Sequence, residues 1–287
     1  DAGQIINRKT AENQVLGSQQ GMGGIGGVGA RQGEIKAETM KYEDRRPGGF
    51  DPHKRIPDMD LDGIDAAFLY PSMGLFSGAV HDPALAGALC RAYNRWLVEK
   101  ALPESDGRLY SMLSLPITEP DEALRQIETF GEAKGVTGFL VTSARTLPIH
   151  HNANMKVFRA IEERGLALAF HSAVNVGEPV FKGLNRFASV HALGFPFFNI
   201  LHVTNWVTNG LGERFPKLPV IWIEGGLAWV PFLMQRLDHE FMLRASEYPL
   251  LKKKPSDYMR DMYYASQPME RVEMGALECT FRMINAE

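Results

Sequence analysis

From about residue 56 the chain alternates short apolar runs with longer amphipathic segments. Each run is continuously apolar instead of alternating with polar residues, which is typical of parallel strands that are covered on both faces. We therefore predict six strands, the last with the weakest pattern, at residues 64–70, 109–117, 136–142, 166–171, 219–224 and 262–265.

The segments between these runs carry apolar residues at helical spacing. Leu85, Leu89, Ala92 and Trp96 follow one another at intervals of three or four residues, which places them on one face of a helix. The pattern predicts helices at residues 83–101, 121–134, 154–164, 197–209 and 229–245. Such alternation of strand and helix is typical of a (β/α) barrel or of a doubly wound parallel sheet.

Polar residues stand at the carboxyl ends of four predicted strands. Tyr70, Thr142, His171 and Glu224 each end an apolar run. In (β/α)8 barrels the functional groups come from the carboxyl ends of several different strands, so this pattern favours the barrel over the open sheet. We predict an α/β protein with a (β/α)8 TIM-barrel fold.

Residues 1–50 differ from the rest of the chain. They are polar, and the run from residue 21 to residue 33 is rich in glycine and has no apolar periodicity. A glycine-rich loop holds phosphate only where it follows a strand and opens a helix, and neither flank fits here. We interpret residues 1–50 as an irregular loop or lid of the same domain, and residues 51–287 as the barrel.

Composition narrows the choice of partners. The chain has 287 residues, 45% hydrophobic and 23% charged, with a net charge of -3. This charge gives no general attraction to nucleic acid or to anionic membranes. The two cysteines, Cys90 and Cys279, lie in unrelated contexts, which indicates neither a disulfide framework nor a zinc knuckle. We expect a cytoplasmic protein that acts on a small molecule.

His171 is the most informative single position. It ends the apolar run 166–170, so in a barrel its imidazole would point into the mouth, where neutral imidazole is a common ligand of zinc-like ions. The alternative is a core histidine bonded to a backbone carbonyl. We predict a metal ligand or an acid/base group.

Glu224 follows four apolar residues and precedes Gly225 and Gly226. A carboxylate in this position must be paired, bound to metal or exposed at the barrel mouth, because burying an unpaired charge is costly. We predict a general acid/base or a group close to the metal. The structural alternative is a salt bridge to an arginine such as Arg236.

Four further residues are expected to line a substrate pocket, from their positions at strand ends and in loops. These are Tyr70, Asn175, His191 and Trp229. His191 is placed in a loop before a break at residues 194–196, whereas His202 is interpreted as a helix histidine. The aromatic residues between Phe195 and Phe198 fit a subunit interface or a pocket wall equally well.

The sequence contains neither a GxSxG nor an HExxH motif. Nucleophilic serine catalysis and the helical zinc-protease arrangement therefore lack support. A water activated by one bound metal is the chemistry that the remaining residues favour.

Several motifs carry a resemblance to a known family, in the expected order between about residue 50 and residue 273. They are DMDLDGIDAAFLYP (residues 58–71), AYNRWL (92–97), GERFPKL (212–218) and VIWIEGGLAWVPFLMQRLD (220–238). The chain resembles the amidohydrolase-related family, which includes aminocarboxymuconate semialdehyde decarboxylase. The resemblance implies one divalent metal, zinc or manganese, and assembly into homodimers or larger homo-oligomers.

The resemblance also implies where the metal ligands lie. Such enzymes take a His-x-His or Glu-x-His pair from the first barrel strand, a histidine from the fifth and an aspartate from the eighth. His171 falls on the fifth-strand ligand. Glu224 falls at the end of the sixth strand, where decarboxylase members often carry a catalytic histidine. This departure puts decarboxylation in doubt and supports hydrolysis or hydration at least equally.

Neither end of the chain carries the remaining ligands. No His-x-His or Glu-x-His occurs in residues 1–50, and no aspartate motif of the eighth strand follows residue 273. We therefore expect barrel strands two to seven only, in a fragment of a longer protein, because a barrel lacking two strands would leave open sheet edges. The sequence predicts a metal-dependent hydrolase; the alternatives are a non-oxidative decarboxylase and a catalytically inactive barrel used for binding or assembly.

Overall fold

The computed structural model describes residues 46–80, 82–142, 144, 147–172 and 178–286, with backbone alone for Met73, Phe76, Ala79 and Phe187. The glycine-rich run and Asn175 lie outside the described residues. The division into a lid at 1–50 and a barrel at 51–287 therefore stays a prediction.

Six parallel strands form one sheet in the described ranges, and their order in space is their order in sequence. They are β1 (Ala67–Leu69), β2 (Leu109–Ser114), β3 (Val136–Thr142), β4 (Ala167–His171), β5 (Val220–Ile223) and β6 (Tyr263–Tyr264). A doubly wound sheet reverses its strand order at a switch point, and this one does not. The sheet is an arc of a (β/α)8 barrel, as the sequence predicts.

Helices precede, connect and follow these strands in the described ranges. They are α1 (Pro52–Asp62), α2 (Pro83–Trp96), α3 (Pro120–Phe130), α4 (Met155–Glu163), α5 (Phe187–Thr208), α6 (Leu211–Arg214), α7 (Trp229–Leu243), α8 (Pro255–Arg260) and α9 (Met274–Met283). None of the helices in the described part of the chain combines the length and apolar character required to cross a bilayer.

The first two helices show how local sequence sets the helix boundaries. Asp51 and Asp82 cap α1 and α2, because each carboxylate accepts a hydrogen bond from a backbone N–H of the first turn. Pro52 and Pro83 follow these caps at the first helical position, which needs no N–H donor. Gly63 ends α1 with a φ of 69°, a left-handed conformation that suits glycine.

The two faces of the sheet bury different residues. Leu168 and Phe170 of β4 point to the helices and join the main core, where Phe170 stacks on Trp222 at 4.7 Å. Ala169 lies on the opposite face in a small cluster with Met112, Leu140 and Ile223. Since side chains alternate along a strand, His171 lies on the same face as Ala169, inside the arc.

One helix differs from its prediction. The sequence predicts a helix at 197–209 preceded by a loop and a break at 194–196, whereas α5 begins at Phe187 and continues through Pro196 to Thr208. The prediction that His191 lies in a loop is therefore wrong. Tertiary contacts hold the helix across the proline, because Phe198 is buried against Phe181.

Candidate active site

His171 and Glu224 lie together at the carboxyl end of the sheet. β4 and β5 are neighbours, and their register places His171 beside Ile223, directly before Glu224. The imidazole Nε2 is 2.7 Å from Glu224 Oε2. The histidine side chain is 4% exposed and the glutamate 36%, so the pair opens to solvent on the glutamate side.

The second ring nitrogen determines which atom of His171 is available. Nδ1 lies 2.5 Å from the carbonyl oxygen of Ser172. A carbonyl oxygen only accepts, so Nδ1 must carry the proton and donate it. Nε2 then turns its lone pair towards the carboxylate unless a proton or a cation lies between the two. This orientation, with the other nitrogen bonded to a backbone carbonyl, is the usual one for a histidine that binds metal.

The backbone of Glu224 is strained. Its φ is 54°, in the left-handed region that non-glycine residues seldom occupy. Such strain costs roughly 1–3 kcal/mol and persists only where the surrounding structure enforces it, commonly at functional sites. Gly226, two residues later, has a φ of 66°. The chain thus makes a tight turn that directs the carboxylate back to β4.

The loop after β6 and the start of α7 hold this turn from behind. Gly226 N–H donates to the carbonyl of Gln267 at 3.2 Å, and Leu227 N–H donates to Glu270 Oε2 at 3.0 Å. The indole N–H of Trp229 donates to the carbonyl of Gly226 at 3.0 Å. Gly226 and Leu227 are therefore fixed by contacts from a loop more than 40 residues away in sequence, and Trp229 adds a local contact.

Helix α5 brings aromatic residues to the pair. The ring of Phe195 packs edge-on to His171, with centroids 6.0 Å apart, and lies 5.0 Å from the ring of His191. Ser172 Oγ donates to the carbonyl of Gly194 in the same turn of the helix, at 3.4 Å. Of the two earlier alternatives for the aromatic segment, a wall beside the candidate site fits Phe195.

The other predicted pocket residues lie at different places. Tyr70 follows β1, three strands away from β4, and burial raises its pKa. Trp229 is 8% exposed, and its ring packs on Tyr264 in the main core. His191 reaches the pair through Phe195. A substrate-binding role for these three residues and for Asn175 stays a prediction.

The structural alternative for Glu224 is not realised. Arg236 bonds to Glu240 on its own helix at 3.2 Å, while Glu224 bonds to His171. His202 is buried on α5 beside the rings of Phe170 and Phe198, as expected of a helix histidine.

His171 and Glu224 offer donor atoms that suit a divalent cation, but two side chains do not complete its coordination shell. Imidazole nitrogen and carboxylate oxygen are both ligands that zinc and manganese accept. Within the described ranges, no third histidine, cysteine, aspartate or glutamate joins them in a group that could hold a metal ion. The pair can thus provide part of a coordination shell.

Sequence reasoning missed two supporting residues. Glu270 binds the turn, and Asn199 donates from its side chain to the carbonyl of Ile223. The sequence signal for Asn199 is that it lies four residues after Phe195, on the same helix face. Glu270 carries none, because it lies 46 residues beyond the glutamate whose turn it supports.

Solved structures share this fold. An amidohydrolase from Mycobacterium avium subsp. paratuberculosis superposes with a TM-score of 0.71 at 22% identity, over 88% of this chain and 68% of that one. A dihydroxybenzoic acid decarboxylase from a Polaromonas species, with bound manganese and 2-nitroresorcinol, gives 0.66 at 21% identity, over 80% and 71%. The 5-carboxyvanillate decarboxylase of Sphingomonas paucimobilis gives 0.64 at 23% identity, over 80% and 68%.

The sequence itself matches the amidohydrolase family model over residues 15–271. This match spans most of the chain and confirms the resemblance inferred from the motifs. The chain belongs to the amidohydrolase family.

Proposed function

We propose that this chain is a metal-dependent enzyme that hydrolyses a small carboxylated or aromatic molecule. The observation that carries the proposal is the His171–Glu224 pair, with Nε2 2.7 Å from Oε2 inside the barrel mouth. Its supports are the fixed orientation of the imidazole and the strained backbone of the glutamate. A purely structural ion pair would not require that strain.

One divalent metal fits this pair. His171 would bind it through Nε2, since Nδ1 is held by the Ser172 carbonyl. A divalent cation, when bound, polarises water or a substrate oxygen and so lowers the barrier to attack at neutral pH. Zinc and manganese are both candidates, and manganese is the ion named in the similar Polaromonas structure.

The chain's own residues would handle the proton and the substrate. Glu224, which is partly open to solvent, would accept a proton from the attacking water and return it to the leaving group. Phe195 and His191 would offer flat rings to a substrate at the edge of the site. We propose Tyr70, Asn175 and Trp229 as further pocket residues.

Metal analysis tests the proposal. The chain is loaded with Mn²⁺ or Zn²⁺, and bound metal is measured by elemental analysis for the original sequence, His171→Ala and the matched control His202→Ala. His171→Ala should stay folded by circular dichroism and lose its metal, whereas the control, which also removes a buried histidine, should keep it. A folded His171→Ala with full metal occupancy would contradict the assignment.

Decarboxylation is the second candidate. Two of the similar structures are named as decarboxylases of hydroxylated benzoates, although at 21% and 23% identity they share the fold alone. The glutamate at position 224 counts against decarboxylation, because the resemblance leads one to expect a histidine there in decarboxylases. Release of CO₂ from ortho-hydroxybenzoates, with no hydrolysis of benzoate esters, lactones or amides, would favour decarboxylation.

An inactive barrel used for binding or assembly is the third hypothesis, and it predicts that no variant changes metal content.

A homo-oligomeric assembly and a cytoplasmic location are also proposals. Light scattering coupled to size-exclusion chromatography measures the first, and a count of one chain per particle would contradict it.

A further inference from the structure

Asn199 lies on α5 against the end of β5. Its side chain is 1% exposed, and its Nδ2 donates to the carbonyl of Ile223 at 3.1 Å. Ile223 is the last residue of β5 and immediately precedes Glu224. The amide therefore contacts the backbone at the point where the chain leaves the extended conformation and enters the left-handed one.

The orientation of this amide is determined by its partner. A carbonyl oxygen accepts and cannot donate, so Nδ2 must face Ile223 and Oδ1 must face away. Oδ1 is buried and has no hydrogen-bond partner among the described residues. An unpaired buried acceptor costs roughly 1–3 kcal/mol, which offsets the stability that the single bond from Asn199 contributes.

Gly225, the residue after Glu224, lies directly against the Asn199 amide. A Cβ built on Gly225 would lie 2.2 Å from Asn199 Nδ2 and 3.3 Å from the indole nitrogen of Trp229. The turn can therefore approach Asn199 this closely only because residue 225 has no side chain. Asn199, Gly225 and the strained Glu224 therefore depend on one another for their positions, and we call this turn interlocked.

The face of α5 that carries Asn199 also carries the ring beside the histidine. His191, Phe195 and Asn199 are spaced by four residues, so they lie on one side of the helix. Phe195 contacts the His171 ring and Asn199 contacts the chain next to Glu224. A single rigid element thus supports both members of the pair.

We propose that Asn199 is a positioning residue: its amide holds the 223–226 turn in the geometry that brings the Glu224 carboxylate to His171 Nε2. This inference deepens the proposed function, on which it rests for the chemical use of the pair. The competing explanation is a structural one, in which Asn199 only caps an otherwise unpaired carbonyl.

Asn154 provides a matched control. It is 0% exposed, its Nδ2 donates to the carbonyls of Pro148 and Ile149, and its Oδ1 is likewise unpartnered among the described residues. It supports the loop before α4, and its hydrogen bonds to the described residues do not reach the 223–226 turn. Substitution of Asn154 should therefore lower the free energy of unfolding about as much as substitution of Asn199, without moving Glu224.

The contact between His171 and Glu224 can be measured in the metal-free chain. The eight histidines are labelled with ¹⁵N, and the ring signals are recorded by long-range ¹H–¹⁵N NMR. His171→Ala identifies the His171 signals, and Glu224→Gln provides the reference for a broken pair. Asn199→Leu, which keeps the approximate shape and removes the donor, and Asn199→Ala are then compared with Asn154→Ala.

The proposal expects both Asn199 variants to move the His171 Nε2 signal at least half of the way to its position in Glu224→Gln, while Asn154→Ala leaves it in place. It also expects Mn²⁺ affinity to fall roughly tenfold to a hundredfold in the Asn199 variants, the usual effect of removing a residue that orients a ligand. Asn154→Ala should bind Mn²⁺ like the original chain.

Three results would overturn the proposal. They are an unchanged His171 signal in folded Asn199 variants, an equal displacement in Asn154→Ala, and unfolding of both Asn199 variants while Asn154→Ala folds. Failure of the proposed function is separate from these, because a chain that binds no Mn²⁺ at all still reports the position of Glu224 through the His171 signal.

Discussion

Two polar clusters of this barrel arc differ in how their hydrogen bonds are satisfied. One, here called the α2–α3 cluster, consists of Arg91, Asn94, Glu122, Arg125 and Gln126. Both polar atoms of the buried Asn94 amide are bonded: Nδ2 donates to the carbonyl of Ser114, and Oδ1 accepts from its N–H, each at 2.8 Å. Glu122 accepts from both arginines and from Gln126.

The other cluster, the β4–β5 site of His171, Asn199 and Glu224, is incompletely satisfied. One buried acceptor is unpartnered among the described residues, one backbone is left-handed, and one imidazole nitrogen faces a carboxylate. A cluster that serves stability uses all of its bonding capacity, whereas a site that binds a ligand leaves capacity for it. Removing a buried asparagine should therefore lower the free energy of unfolding more in the α2–α3 cluster than in the β4–β5 site.

The largest expected effect is that of Asn94→Ala. The variant removes two bonds to Ser114 and the bond from Nδ2 to Gln126, all buried, and should lower the free energy of unfolding by about 3 kcal/mol. Asn199→Ala removes a single bond and also the unpartnered acceptor, so it should lose only about 1 kcal/mol. Urea unfolding measures both; equal losses would remove the distinction between the clusters.

Gly225→Ala should follow, with a loss of about 2 kcal/mol, because the new methyl would overlap the buried Asn199 amide. The methyl should also displace Glu224 and weaken Mn²⁺ binding. Gly49→Ala is the control, since nothing lies within 4 Å of a Cβ at that position. A Gly225→Ala chain with the original stability and Mn²⁺ affinity would show that the turn is not interlocked.

Glu122→Gln should lose about 1.5 kcal/mol at pH 7 by weakening the contacts with the arginines. Burial by itself raises the pKa of Glu122, but hydrogen bonds from Gln126, Arg91 and Arg125 outweigh it and hold the pKa below the ordinary 4.5. The ionised form thus stabilises the fold above pH 4.5, and this stabilisation disappears as the pH falls through the lowered pKa. Unfolding curves from pH 6 to pH 2.5 should therefore converge for the two chains; parallel curves would contradict this role.

The smallest effect has the opposite sign. Glu224→Gly relieves the left-handed strain and should raise the free energy of unfolding by about 0.5–1 kcal/mol, while abolishing the contact with His171. A stabilising substitution that removes metal binding is the expected signature of a residue retained for function. Loss of stability in Glu224→Gly would place the pair with the structural cluster.

Much of the fold follows from local pattern. All six strands form within or at the bounds predicted from apolar runs, and the polar residue His171 does end its strand. The motif that contains Asn94 was informative for the family, and the structure shows its physical reason, because this asparagine ties α2 to the end of β2. The extent of α5 escaped prediction since Gly194 and Pro196 disfavour helix locally, and only packing overrides them.

Trp229 shows the same limit within the candidate site. Its place after a strand end predicts a substrate-binding role, which stays a prediction; the structure adds that its indole packs against the main core and donates to Gly226. Whether an aromatic residue faces a pocket or a core depends on the rotation of its helix against neighbouring elements. A single sequence carries no measure of that rotation.

By itself the sequence determined the strands, the helices, their order in a barrel and the two residues at the ends of β4 and β5, because apolar periodicity and strand-end polarity are local properties. Only the tertiary structure decided that His171 and Glu224 touch across a sequence separation of 53 positions, that Glu224 is strained, and that Asn199 bonds to the residue before it. Strand register and helix packing set such contacts, and both are established by the whole fold at once.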